Sequence, residues 1–177
     1  MAQADKVPRN LQAMSDYWHG LAGGATPARD LLEPRAIKPL LPYVLLVELE
    51  SRPFRVRYRL TGTAVDAATG LCLTGHYLDE FTLGKTAEAV EQLHDRYKHC
   101  SESGQPSLGY YNWPSVAGYP IHLWFGLFPL KVAGLVRQCL AIEDYGNLSG
   151  AGRLSRWDGE DIDYRDTRRR AVSWAAR

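Results

Sequence analysis

Hydrophobic and polar positions alternate most regularly over residues 54–61, where four apolar side chains are separated by three arginines and followed by a threonine. Alternation with a period of two is typical of a strand with one buried face. Residues 43–50 are rich in valine and leucine and precede this segment by the short turn Ser51-Arg52-Pro53. The pattern therefore predicts an antiparallel hairpin whose second strand has one core face and one cationic face.

Three further strands are predicted over residues 108–116, 119–130 and 135–145. The turns between them are short and contain Gly118 and Gly134, which favours an antiparallel meander. The middle segment is largely apolar at both odd and even positions. Both faces of this part of the sheet therefore need cover.

Two segments have the spacing of amphipathic helices. Residues 10–21 carry Leu11, Met14, Trp18 and Leu21 on one face, with Asn10 as the expected N-cap and glycines as the expected stop. Residues 86–103 repeat the same spacing. Shorter helical turns are predicted over 34–40, 63–69 and 77–81.

This order of elements predicts an α+β fold with one five-stranded antiparallel sheet and crossover helices on one face. The N-terminal helix would cover the other face or pack on a second copy of the chain. Residues 1–42 then form the amphipathic helix and connector, and residues 43–146 form the sheet domain. Residues 147–177 form a C-terminal extension, helical or partly mobile.

Composition limits the functional classes. The chain has 177 residues, a net charge of +1 and 45% hydrophobic residues, which argues against broad disorder and against a nucleic-acid partner. Its three cysteines form no CxxC pair, so we expect no metal site of that kind and a reducing compartment. Since we find no signal peptide and no apolar run of about 20 residues, we expect a cytoplasmic protein without stable membrane insertion.

Several short motifs resemble the PAS domain, in particular its short, stand-alone bacterial branch. They occur in order along about residues 11–146, and are Tyr17-Trp18, Leu21-Ala22-Gly23-Gly24, Leu41-Pro42, Tyr58-Arg59-Leu60-Thr61-Gly62-Thr63, Leu73-Thr74-Gly75 and Leu78-Asp79-Glu80-Phe81. The resemblance implies a bacterial sensory or protein-interaction module without catalytic activity. It also implies a homodimer formed through the N-terminal helix, with Leu11, Met14, Trp18 and Leu21 as candidate contacts.

The resemblance further implies a ligand pocket between the sheet and the crossover helices. An apolar site of this type needs a few polar groups in an aromatic wall. Ordinary core packing is the alternative that the residues favour. The candidate pocket residues are Tyr58, Leu60, Tyr97, Trp113, His122 and Trp124.

The three arginines of the second strand, Arg55, Arg57 and Arg59, stand at a period of two on one face. Such a row is a candidate anion site, because guanidinium groups match phosphate oxygens in pairs. Cross-strand ion pairs with Glu48 and Glu50 are the interpretation that the pattern favours.

No cofactor is predicted. Flavin photochemistry in this superfamily uses an Asn-Cys-Arg-Phe segment, which the sequence lacks, and His94 and His99 are better explained as structural residues than as haem ligands. Motifs such as GxSxG, HExxH and the P-loop are also lacking, so we do not expect an enzyme. The leading hypothesis is a sensory module that binds a small ligand or partner protein and acts in trans. A ligandless adaptor of the same fold and a small α+β enzyme with an apolar pocket are the alternatives.

Overall fold

Five strands form one antiparallel sheet in the computed structural model, which describes residues 7–82, 84–114 and 120–145. The strand bounds are β1 Val44–Ser51, β2 Phe54–Thr61, β3 Ser107–Pro114, β4 Pro120–Val132 and β5 Leu135–Asp144. The spatial order is β2-β1-β5-β4-β3, so the hairpin joins the meander through the pairing of β1 with β5. The predicted five-stranded antiparallel sheet is confirmed.

Three α-helices accompany the sheet: α1 Arg9–Ala22, α2 Thr63–Thr69 and α3 Ala87–Ser103. Shorter 3-10 segments lie at Arg29–Leu31, Pro34–Tyr43, Leu78–Phe81 and Gly84–Thr86. Among the described helices, none combines the length and the hydrophobicity that crossing a membrane requires.

The start of α1 differs from the prediction. The helix begins one residue earlier, and its N-cap position is Pro8 rather than Asn10. The Asn10 side-chain amide instead donates to the Asp144 carboxylate at 3.2 Å. This bond ties the first turn of α1 to the end of β5.

The sheet separates two hydrophobic cores. The crossover core lies on the side of α2 and α3 and takes buried side chains from all five strands; its members include Val47, Val56, Tyr58, Leu93, Tyr97, Phe125, Leu127 and Cys139. The α1 core lies on the opposite face; its members include Leu11, Met14, Trp18, Val44, Phe128, Leu130, Leu140 and Ile142. Two covered faces explain the continuous apolar character of β4.

The predicted dimer contacts of α1 are corrected by this packing. Leu11, Met14 and Trp18 are 0% exposed, because they are buried against the chain's own sheet. The Trp18 indole N–H also donates to the Pro129 carbonyl oxygen at 2.9 Å. Leu21 is half-buried. The three buried side chains form part of the fold and offer no surface to a second copy.

Two of the sequence motifs meet at the end of β2. The Gly62 N–H donates to the Val44 carbonyl oxygen at 2.8 Å. A β-carbon at Gly62 would lie 2.2 Å from the Pro42 carbonyl oxygen and 2.5 Å from that of Leu41. The backbone of Leu41-Pro42 therefore fits against residue 62 only when that residue is glycine.

The predicted extension over residues 147–177 lies outside the described residues and stays a prediction, as does its separation from the sheet domain. The same holds for residues 115–119, which contain the predicted turn between β3 and β4. The connector preceding the sheet is described: the predicted helical turn over 34–40 belongs to the longer 3-10 segment Pro34–Tyr43.

Candidate functional site

A carboxylate lies among tyrosines on the crossover face of the sheet. Along β5, Cys139 and Ala141 belong to the crossover core, and Glu143 is the next residue in the same phase. The Tyr111 hydroxyl donates to Glu143 Oε1 at 3.0 Å, and the Tyr145 hydroxyl donates to Glu143 Oε2. Together with Tyr58 and Tyr97 these residues are called the tyrosine–glutamate cluster.

The packing of the cluster changes its acid–base chemistry. Glu143 is half-buried as a whole residue, yet the protein packed around its carboxyl group raises its pKa above the ordinary 4.5. The hydrogen bonds from Tyr145 and Tyr111 favour the charged form and oppose this shift without cancelling it. Burial also raises the pKa of Tyr58, Tyr97 and Tyr111 above the ordinary 10, so their hydroxyls are neutral donors at neutral pH.

A pH dependence of stability follows from the raised pKa of Glu143. The folded protein holds this proton more tightly than the unfolded chain, so the contribution is full below pH 4.5 and is lost as the pH rises through the folded-state pKa. The unfolding free energy of the wild type should therefore fall relative to that of Glu143→Gln as the pH rises from 4.5 to neutrality.

Denaturant unfolding at a series of pH values measures this difference. The matched control is Glu102→Gln, which changes an exposed carboxylate near the end of α3 and should follow the wild type at every pH. Parallel curves for the wild type and Glu143→Gln would contradict the raised pKa.

Three of the six predicted pocket residues lie at the crossover core. Tyr58 and Tyr97 are buried within it. Trp113 is partly buried against the same core, and its ring centroid lies 6.2 Å from that of Tyr111 in an edge-to-face arrangement. The structure thus brings these residues together beside Glu143.

The other three predicted pocket residues do not reach the crossover core, which corrects their placement. Leu60 is 50% exposed, because a bulge in the β1–β2 pairing skips one residue of β2 and ends the alternation after Tyr58. His122 and Trp124 lie on the face of the α1 core, since their neighbours Leu123 and Phe125 take the crossover face. Both rings contact the exposed Tyr110, at centroid distances of 5.6 and 5.7 Å.

Tyr111, Glu143 and Tyr145 are not among the site residues that the sequence pattern predicts. Glu143 carries a signal, because a carboxylate interrupts an apolar strand in the phase of Cys139 and Ala141. Its tyrosine partners come from another strand and from the residue after β5, so the pairing depends on the register of β3, β4 and β5.

Two of the three arginines of β2 form ion pairs. Arg55 binds the Asp79 carboxylate through Nε and Nη2 at 3.0 and 2.9 Å, and its guanidinium lies 3.6 Å from the Tyr77 ring centroid. This partner differs from the predicted Glu50, because the segment around Asp79 runs along the free edge of β2. Arg59 contacts Glu48 at 3.4 Å.

Arg57 faces Glu48 across the strand pair. Its Nε is buried and has no hydrogen-bond partner among the described residues. The positive charge of Arg57 therefore has an acidic residue opposite it, but its buried Nε–H lacks an acceptor among the described residues.

The cysteine and histidine side chains of the described residues form no cluster that could serve as a metal site. Burial raises the pKa of Cys100 to about 12, and Cys139 is also buried with a raised pKa, so both thiols are inert at neutral pH. The His94 ring packs edge-to-face on Phe54 at 5.2 Å. Within the described residues, no group of three histidine, cysteine or acidic side chains is placed to hold a metal ion.

Comparison with solved structures returns light-oxygen-voltage and PAS domains. A light-oxygen-voltage domain studied with a flavin analogue is 14% identical, with 63% of this chain and 82% of that chain covered and a TM-score of 0.47. A fungal light-oxygen-voltage photoreceptor domain is 14% identical, with 81% of this chain and 95% of that chain covered and a TM-score of 0.44. The PAS domain of the histidine kinase ThkA is 14% identical, with 58% of this chain and 98% of that chain covered and a TM-score of 0.38. A search of curated proteins finds no match.

The TM-scores of these three structures are all below 0.5. At such TM-scores the similarity decides neither the ligand nor the fold. The fold rests on the sheet order itself and on a family model. That model describes a PAS domain and matches residues 6–132, which is most of the chain. With its β2-β1-β5-β4-β3 sheet and crossover helices, this chain belongs to the PAS domain family.

Proposed function

We propose that this PAS domain is a sensory module that binds a small, mainly apolar ligand in the crossover core, next to the tyrosine–glutamate cluster. The observation that supports the proposal is the placement of Glu143. A carboxyl group costs free energy when it is moved out of water. Apolar packing alone does not require a carboxylate in phase with Cys139 and Ala141, and a ligand with a polar group would give this carboxylate a function.

The cluster defines the chemistry of the ligand. The surrounding side chains are aliphatic and aromatic, so they would contact an apolar body. Glu143 and the tyrosine hydroxyls would fix a polar group through hydrogen bonds. A ligand with an amide, amine or hydroxyl group fits this environment better than a strongly acidic one, because Glu143 would repel a second carboxylate.

The route of the signal would begin at Tyr145. This residue directly follows β5, and its hydroxyl bonds to Glu143. A ligand that takes over this hydrogen bond would release Tyr145 and move the chain at the end of the sheet. The resulting change would act in trans on a partner protein in the cytoplasm, without catalysis by this chain.

The proposal includes a homodimer that does not use the buried residues of α1. The contacting rings of Tyr110, His122 and Trp124 form an aromatic strip near the β3 edge of the sheet, and Tyr110 is 57% exposed. Exposed aromatic strips are common at contacts between proteins. Native mass spectrometry reports whether Tyr110→Lys converts a dimer into a monomer; a dimer that persists would contradict this interface.

Native mass spectrometry also tests the ligand site. The wild type should carry an additional mass of a small molecule. Tyr111→Phe should reduce its occupancy about tenfold or more, because it removes one hydrogen-bond donor from the cluster that would fix the polar group of the ligand. Tyr110→Phe is the matched control, since it removes a hydroxyl oxygen from the preceding residue, whose side chain lies on the opposite face of the sheet. Equal occupancy in the two variants would contradict the proposed site.

The visible absorption spectrum separates two outcomes. A flavin absorption band would identify the ligand as a flavin, the class of compound named for one light-oxygen-voltage structure. A colourless protein with a bound mass would support another ligand. A wild type without bound mass would instead favour the ligandless adaptor.

A further inference from the structure

An open cleft of about 540 Å³ lies on the face of the sheet opposite the tyrosine–glutamate cluster. This volume is within the usual range of small-molecule sites, about 300–1,000 Å³. The cleft is bordered by the end of the β4–β5 hairpin and by the segment that follows α1. Its cationic lining residues are Arg29, Arg59 and Lys131, and its remaining polar side chains are Asp30 and Gln138.

Two irregularities in the sheet lie beside this cleft. In the β1–β2 pairing, Leu46 faces Leu60 and Val47 faces Tyr58, so Arg59 is the additional residue of a bulge. In the β4–β5 pairing, the register shifts between Leu130 and Lys131. Bulges redirect side chains and are frequent beside functional sites. The first bulge presents Arg59 to the cleft, and the second adds Arg137 to β5 next to the lining residue Lys131.

The cationic side chains of the cleft are poorly compensated. Within the described residues, Arg29 and Lys131 form no ion pair. Arg59 has a single contact with Glu48 at 3.4 Å, and the two side chains are 50% and 36% exposed. An ion pair this exposed contributes little stability, so an anion can compete for the guanidinium. Among the described residues of the lining, Asp30 is the one acidic side chain.

Gln138 adds an unsatisfied polar group to the lining. Its Oε1 is buried and has no hydrogen-bond partner among the described residues. A buried carbonyl oxygen without a donor costs free energy. Since the two ends of a side-chain amide are interchangeable by rotation, the same position can present N–H donors to an anion.

The backbone around the cleft is held in place before any ligand binds. The Lys131 N–H donates to the Pro27 carbonyl oxygen at 2.9 Å, and Ala28 pairs with Lys131 as an isolated parallel bridge. Ala133 and Gly134 close the hairpin with φ values of 51° and 80°, which suit a tight turn. Preorganised groups lose less entropy on binding.

We propose that this cleft is a second binding site, which takes the phosphate group of a small organic phosphate. Two guanidinium groups and an ammonium group match a doubly charged oxyanion, and guanidinium pairs phosphate oxygens two at a time. Leu46 and Val132 in the lining provide apolar contact for the organic part of the ligand. The site lies on the other face of the sheet from the crossover core and does not depend on the function proposed for that core.

Isothermal titration with ADP and with inorganic pyrophosphate tests the site. Saturable binding of ADP to the wild type is expected, with an affinity that falls as salt is added. Lys131→Gln and Arg29→Gln should each weaken it about tenfold or more, the effect of one charge-assisted hydrogen bond. Binding of pyrophosphate as well would assign the recognition to the phosphates alone, whereas binding of ADP alone would include the nucleoside.

The matched control is Arg35→Gln, which removes an exposed arginine of the segment Pro34–Tyr43 outside the cleft and should leave the affinity unchanged. Tyr111→Phe should also leave ADP binding unchanged. The experiments can therefore contradict the cleft proposal and the crossover-core proposal independently of each other. The proposal is overturned if neither probe saturates, or if Arg35→Gln and Lys131→Gln weaken binding equally.

Discussion

Replacing Trp18 with alanine is expected to lower the unfolding free energy by about 3–5 kcal/mol, the usual cost of removing a buried tryptophan. The side chain is 0% exposed and packs with Phe128 at a ring distance of 6.4 Å. Its N–H is bonded to the Pro129 carbonyl oxygen, so alanine leaves a cavity and also removes this hydrogen bond. Denaturant unfolding followed by circular dichroism measures the loss.

The Trp18→Ala result distinguishes a structural helix from a detachable one. Gln12→Ala changes an exposed residue of the same helix and should alter stability by less than about 0.5 kcal/mol. If α1 served as an interface helix only, Trp18→Ala would change the oligomeric state and leave the stability of the protomer intact. That outcome would contradict the packing of α1 on its own sheet.

Replacing Gly62 with alanine is expected to cost about 3 kcal/mol, at the upper end of the range for overpacking. The added β-carbon would lie 2.2 Å from the Pro42 carbonyl oxygen, and a backbone atom cannot rotate away as a side chain can. Relief would require the end of the 3-10 segment Pro34–Tyr43 to move away from residue 62, which would weaken the neighbouring Gly62–Val44 hydrogen bond. Thermal and denaturant unfolding both report this loss.

Gly20→Ala is the matched control for Gly62→Ala, and the sign of its effect should be opposite. Gly20 lies in α1 with open space around its α-carbon. Alanine at an exposed helix position should raise stability by about 0.5–1 kcal/mol, because it restricts the unfolded chain. Equal destabilisation by both substitutions would show that the close approach of Pro42 and Gly62 does not exist.

The sequence predicts the elements well, because each depends on a local period. The predicted strands agree with the observed strands within two residues at each end, and α2 has the predicted bounds. The helical spacing of Leu11, Met14 and Trp18 identifies the buried face of α1. The same spacing cannot say whether this face packs on the sheet or on another chain, since both surfaces are apolar.

The candidate sites are less predictable, because they depend on register. A single skipped residue at the β1–β2 bulge removes Leu60 from the core and turns Arg59 toward the cleft. The alternation of residues along β2 does not indicate this bulge, because the bulge arises only when β2 pairs with β1. The bond between Tyr111 and Glu143 likewise joins β3 and β5 across β4, and no spacing along the chain indicates it.

We expect the crossover core to bind a ligand at the tyrosine–glutamate cluster. The most direct measurement is a crystal structure of the protein purified together with the small molecule that it retains. Electron density for that molecule is expected between the sheet and α3, within hydrogen-bond distance of Glu143 or Tyr111. A crossover core filled by protein side chains alone, or ligand density only on the opposite face of the sheet, would contradict it.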